Sequence, residues 1–397
     1  MAARDPYGFI LDPVPSPKDA EFLRAYEEIK KRRLVKWQKV MGEMKGKPFI
    51  RTNNLKKMIR KGIPHQYRPQ MWKDLLQYSQ YYTPGEFESL LRHAQEHRDE
   101  PRLGQALRDV EMDLDRTFPG HPAFASPAGQ AALRSVLTAL VVLRPEIGYC
   151  QGMSFLAATL LLVYPGQPED AFWTMRLLTA RLPAQFYSAN MFDVHVEVHV
   201  LEDLIQQRLG AIRRLMRANK VEGLHFAVQW YVCLFANAMP METVFRIWDL
   251  VVSEGDKILH RVAIALLKLN RAELLDRAEK KEFILPTLLQ ISARCYNCET
   301  LIKTALGLLN FKRSTIYTLR AAASETVARE LNTVAQRRTA PGLIAGQRRV
   351  GLRGRRACRG QPAACWCRGL IPEPNTRVGA DPILSRPKSR AQRRACA

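Results

Sequence analysis

Two short segments set polar side chains off the apolar stripes around them, one a guanidinium and one an amide. The first reads Val110-Glu-Met-Asp113-Leu-Asp-Arg116-Thr-Phe-Pro119. On a helix, residues three apart are surface neighbours, so Asp113 can orient the Arg116 guanidinium. That group offers several N–H donors in a rigid planar fork. The second reads Ile147-Gly148-Tyr149-Cys150-Gln151-Gly152-Met153. The Gln151 amide can accept and donate at once, and a glycine on each side of the triplet permits close backbone approach. Each segment alone has a plainer reading. Arg116 could be a surface arginine favoured by a helix C-terminus, and Gln151 a solvent-facing amide at a helix start.

The elements that must hold these groups read as helices. Arg116 is expected in the last turn of a helix whose apolar stripe is Leu103, Ala106, Leu107, Val110 and Leu114, off that stripe and just before a Phe-Pro-Gly stop. Gln151 is expected off the stripe Tyr149, Met153, Leu156 and Leu160 of the next apolar helix. Similar stripes run through Leu133, Val136, Leu137, Leu140 and Val141, through Val244, Ile247, Trp248 and Val251, and through Ile258, Val262, Ala265, Leu266 and Leu269. Pro and Gly punctuate them, and few stretches alternate with period two. The fold class predicted is all-α, a stack of a dozen or more helices without a solenoid repeat. A loose start is expected to lead into a helix capped by Ser16-Pro17 and running to about Met44, followed by a linker over Lys45–Asn54. The domain reading is therefore an N-terminal extension and helix (1–54), a main helical domain (55–311), a C-terminal helix (312–338) and a basic tail (339–397).

Composition narrows the class. At 397 residues, 47% apolar and 25% charged, the chain can bury a sizeable core and resembles ordinary globular proteins. The net charge is +23, but Leu331–Ala397 alone holds 15 Lys/Arg against two Asp/Glu, more than half of the excess. The main body is moderately basic. That suits an acidic protein surface or an anionic membrane surface and requires no nucleic acid. The tail has no apolar periodicity to offset its ordering entropy and is expected to be disordered. The start lacks a signal-peptide core, and the apolar run Phe155–Tyr164 is about half a membrane span. Eight irregularly spaced cysteines read as reduced thiols. A cytoplasmic protein is expected, at most peripheral on endomembranes.

The two polar segments, in this order, resemble the TBC family, whose signatures are IxxDxxR and YxQ. Here they read Val110-x-x-Asp113-x-x-Arg116 and Tyr149-Cys150-Gln151. Lys61-Gly62-Ile63-Pro64 with Arg68 and Trp72, and Arg246-Ile247-Trp248-Asp249 with Glu254-Gly255 and Arg261-Val262-Ala263, match further family blocks. The resemblance covers about residues 55–310, and the opening Asp5-Pro-Tyr-Gly-Phe9 with the compact size narrows it to one small subtype. It implies a GTPase-activating protein for a Rab-type small GTPase in its GTP-bound state, with Arg116 as arginine finger, Gln151 as glutamine finger, and Asp113 and Tyr149 positioning them. It implies no cofactor of the chain's own, GTP and Mg²⁺ being carried by the Rab, and no Gly-x4-Gly-Lys-Ser/Thr loop is present. Trp72, Trp248 and Asp249 read as architecture. Tyr231 and His260 stand where the family commonly has Phe and read as packing variations. A Rab-binding effector or scaffold in membrane trafficking is the alternative.

Two other spacings invite metal chemistry. His195-Val-Glu-Val-His199 sets two imidazoles one turn apart, but no third ligand follows and the helix already has a buried stripe in Val194, Val198, Leu201 and Ile205. Cys295-Tyr-Asn-Cys298 is a single CxxC in helical context and reads as structural thiols.

Overall fold

A computed structural model describes residues 3–339 with the exception of Lys281. The predicted tail therefore lies outside the described residues, save Thr339, which closes the last helix. Nineteen α-helices and two 3-10 turns make up the described chain, with no named strand among the described residues. The all-α expectation holds.

The core is built on two helices buried on nearly every side, the first near-continuously apolar and the second carrying buried Arg246 and Asp249 among its apolar residues. Met153–Val163 has nine buried residues of eleven, and Met241–Glu254 eleven of fourteen. Pro127–Leu143 packs against Glu86–Glu96, Pro101–Leu114, Met153–Val163 and Pro168–Thr179, joining the two segments singled out above. Met241–Glu254 does the same on the other side, against Asn53–Lys61, Arg68–Leu76, Lys257–Leu269 and Cys298–Leu306. The predicted stripes face inward, except that Leu269, at a helix end, is half exposed. Pro17–Met44 starts with the Ser16 hydroxyl accepting from Asp19 N at 3.2 Å, the N-cap read from the sequence.

A buried polar knot ties the beginning of this body to its centre. Asp249 Oδ1 accepts from Trp72 Nε1 at 3.0 Å and Arg68 Nε at 3.2 Å, and Oδ2 accepts from Ile63 N at 3.2 Å. Arg68 Cζ also lies over the Phe245 ring, 4.9 Å from its centroid. Burial opposes its charge, but the Asp249 and Glu242 carboxylates prevail and push its pKa up. A buried charge left without its partner costs about 3–5 kcal/mol, so every member must be present together. Trp72, Trp248 and Asp249 are architecture here, Trp248 Nε1 donating to Leu234 O at 2.9 Å.

His65 borders this knot and makes the fold sensitive to acid. Its Nδ1 accepts from Arg68 Nη1 at 3.3 Å, which leaves Nε2 to donate to Leu162 O at 3.2 Å, so only the neutral ring suits both neighbours. Burial, and then the Arg68 charge, lower its pKa from 6.5 to about 4. The unfolded chain takes this proton first, so the stability His65 contributes is whole above pH 6.5 and is lost as pH falls toward 4. Chemical denaturation of wild type should show that loss between pH 6.5 and 4, and His65→Gln should flatten it. Equal slopes in the two proteins would contradict the assignment.

Two sequence expectations need correction. The start is packed, not loose: Tyr7 and Phe9 sit among core aromatics. Tyr231 and His260 are also more than packing variants. The Glu197 carboxylate lies 2.5 Å from His260 Nε2, leaving Nδ1 to accept from the Tyr231 hydroxyl at 2.6 Å. Arg320, from the Arg313–Thr339 helix, then bridges Glu197 and Asp256 at 2.6 Å each. His260 thus faces a buried carboxylate that Phe could not pair with, and Tyr231 supports the other side of its ring.

Candidate functional site

Arg116 lies just beyond its helix, not in the last turn. Pro101–Leu114 stops with Asp115 as C-cap, and Arg116 occupies the following turn. The Thr117 hydroxyl donates to Asp113 O at 2.6 Å, so a helix-terminal carbonyl is satisfied by a side chain, and Phe118 then turns into the left-handed region at φ +47°. Gln130 Nε2 holds the turn from Pro127–Leu143 by donating to Asp115 Oδ1 at 3.2 Å.

Tyr149, Cys150 and Gln151 likewise lie ahead of their helix, which begins at Met153 with Gly152 as N-cap. The glycine explains the placement. Gly152 has φ +106°, and a Cβ there would stand 2.8 Å from Val232 Cγ1 and 3.0 Å from Cys233 Sγ. Only a residue without a side chain lets this loop settle on the turn after Ala227–Val232.

The two loops bring all four predicted residues together. Asp113 is 1% exposed and works in both directions. Its Oδ1 accepts from Arg116 Nε, and its Oδ2 accepts from the Tyr149 hydroxyl at 2.5 Å. Burial, and then the Asp113 charge, raise the Tyr149 pKa well above its ordinary value, so the phenol stays a donor. The two orientations of the Gln151 amide differ only in hydrogen bonding. The one that satisfies both its ends has the oxygen accepting from Arg116 Nη1 at 3.1 Å and Nη2 at 3.0 Å. A chain of contacts therefore runs Tyr149, Asp113, Arg116, Gln151, with Asp113 buried, Arg116 exposed and both ends half-buried. The Arg116 side chain is 53% exposed, and Met112, one turn earlier, is 64% exposed. Burial pushes the neighbouring Cys150 thiol up to about 12, so it stays protonated.

The other candidates are not drawn in. His199 contacts Glu330 at 3.1 Å, Glu197 turns inward to His260 and Arg320, and Cys295 and Cys298 are free thiols. Among the described residues no cluster of three or more His, Cys, Asp or Glu is placed to hold a metal, and no helix is long and apolar enough to cross a membrane.

The Rab-GTPase-TBC domain model matches residues 65–275, more than half of the chain and all four residues of the site. The chain belongs to the Rab-GTPase-TBC domain family, the class of Rab GTPase activators. It is similar to growth hormone-regulated TBC protein 1 of Homo sapiens, 33% identical over 68% of this chain and 80% of that protein. The Xenopus laevis protein of the same name is 35% identical over 68% and 79%. This is the subtype toward which Asp5–Phe9 and the compact length point. The Chlamydomonas flagellar RabGAP TBC domain superposes with a TM-score of 0.67 at 28% identity, covering 77% of this chain and 100% of that one.

Proposed function

We propose that this protein stimulates GTP hydrolysis by a Rab-type GTPase by supplying Arg116 and Gln151 in trans. The observation that carries this reading is their meeting: an exposed Arg116 and a half-buried Gln151 from separate loops touch, with Asp113 buried behind them. Small GTPases hydrolyse GTP slowly because charge on the transferring phosphoryl oxygens is poorly stabilised and the attacking water poorly held. The Arg116 guanidinium donates N–H groups to that developing charge, and the Gln151 amide both accepts from the water and donates to the phosphate. GTP and Mg²⁺ come with the Rab. Asp113 holds the guanidinium through Nε and Nη2, which turns Nη1 toward Gln151, and Tyr149 fixes Asp113. Pre-setting the guanidinium removes part of the ordering that a free arginine would need at the moment of reaction. Met112, one turn before Arg116, offers an exposed apolar contact for the docked GTPase.

Single-turnover hydrolysis by a panel of GTP-loaded Rabs tests the proposal. At least one should be accelerated by on the order of 10³ or more. Binding to GTP-loaded Rabs with acceleration of none would replace this reading by the scaffold.

A further inference from the structure

A hairpin at the start of the chain grips the turn that carries Arg116, and it lies wholly ahead of the 65–275 span matched by the family model. Asp5 N donates to Phe9 O at 2.8 Å and Leu11 N to Ala3 O at 2.9 Å, and an antiparallel bridge pairs Arg4 with Ile10. The Asp5 carboxylate closes the tip by accepting from Tyr7 N and Phe9 N, both at 2.9 Å. Tyr7 roots the hairpin in the core. Its hydroxyl donates to Glu242, and its ring meets His65 and Phe245 edge-on at 5.1 and 4.9 Å.

The opposite side of the hairpin bears on residues 118–121. Phe9 packs edge-on against Phe118 at 4.8 Å and lies 4.5 Å from the His121 ring. His121 Nδ1 accepts from Ala123 N at 3.2 Å, so Nε2 carries the proton and donates to Tyr7 O at 2.7 Å. Arg4 Nη2 donates to Gly120 O at 3.2 Å. The fit needs Gly8, at φ +98°, where a Cβ would stand 2.9 Å from His121 Nε2. Phe118 is a bulky residue at φ +47°, a conformation that persists only where the surroundings enforce it. Phe9, together with Phe124 and Phe155, supplies that enforcement.

We propose that the hairpin formed by residues 3–11 is a positioning clamp for Arg116, holding the Phe118–His121 turn so that the guanidinium stays on Asp113 and Gln151. Among the described residues no hydrogen bond, ion pair or ring contact joins it to Arg116 or Gln151, so Arg4, Tyr7 and Phe9 act through the turn. The inference rests on the activator reading above for its effect on rate. Misplacing a catalytic group by about 1 Å can lower a rate by on the order of 10², whereas docking of the Rab depends on a wider surface.

The test uses the full chain carrying Phe9→Ala, Phe9→Tyr, which keeps the ring, or Arg4→Ala, a surface change that spares the core. Two quantities are read: single-turnover hydrolysis by the Rab that wild type activates most, and amide hydrogen exchange over residues 116–121 in the free protein. Phe9→Ala should lower the saturating rate by about tenfold or more while the half-saturating concentration moves by less than about twofold. Its exchange over 116–121 should quicken, and Phe9→Tyr should restore both readouts. Arg4→Ala should quicken exchange at Gly120 and His121 and lower the rate by a smaller factor, which decides the matter if Phe9→Ala does not fold. An unchanged saturating rate in a folded Phe9→Ala, or unchanged exchange, overturns the clamp. If wild type activates no Rab, the activator reading fails, and exchange in Phe9→Ala alone decides the clamp.

Discussion

Replacing Arg116 by alanine is expected to remove stimulated GTP hydrolysis almost completely, by on the order of 10³ to 10⁵ in rate. The fold should survive. The Arg116 side chain is 53% exposed, so the space it vacates opens the buried Asp113 carboxylate to water and limits the cost of losing its partner. Asp113 keeps the Tyr149 hydroxyl and its backbone tie to Thr117 after the change. Arg116→Lys is the sharper variant. Lysine retains the charge, but one ammonium cannot span Asp113 on its Nε side and Gln151 on its distal side as the planar fork does. Both variants should therefore fail under single-turnover conditions while melting within a few degrees of wild type. Near-wild-type stimulation by either would remove Arg116 from the chemistry.

Gln151→Ala should show the second large effect, a rate loss of on the order of 10² to 10³, the scale of removing one pre-set donor from a transition state. Affinity for GTP-loaded Rab should change much less, because the amide is used in the transition state more than in docking. The split between rate and affinity is the diagnostic. Equal losses in both would make Gln151 a docking residue. The loop should tolerate the change, since Gly152 and its seat on Val232 and Cys233 set the backbone path, not the amide.

The helices were legible because their apolar residues recur at helical spacing, and the stripes in Pro127–Leu143 and Met241–Glu254 face inward as read. The four site residues were legible only as an ordered pair of motifs, and the structure adds why they meet. Two local features decide it, and neither follows from periodicity. The Thr117 hydroxyl takes the Asp113 carbonyl and ends the first helix before Arg116. Gly152, at φ +106°, delays the second helix until after Gln151. Both residues were therefore expected on helices and stand in loops. The hairpin at residues 3–11 was hidden for another reason. Its contacts to Gly120, His121 and Glu242 span more than a hundred residues, and Asp5-Pro-Tyr-Gly-Phe9 shows a turn without showing what the turn grips. The Tyr231–His260 pair was misread because a single-site comparison with Phe cannot reveal that Glu197 sits beside both.

The central claim is that this chain brings both the guanidinium and the amide to its partner. It is tested most directly by single-turnover GTP hydrolysis with a Rab whose own catalytic glutamine is replaced by leucine, using the Rab that wild type activates most. If Gln151 supplies the amide, wild type should still accelerate this altered Rab by on the order of 10³ or more, and Gln151→Ala should not. Failure of wild type to accelerate it, with full activity on the unaltered Rab, would show that the partner provides the amide and would contradict the account.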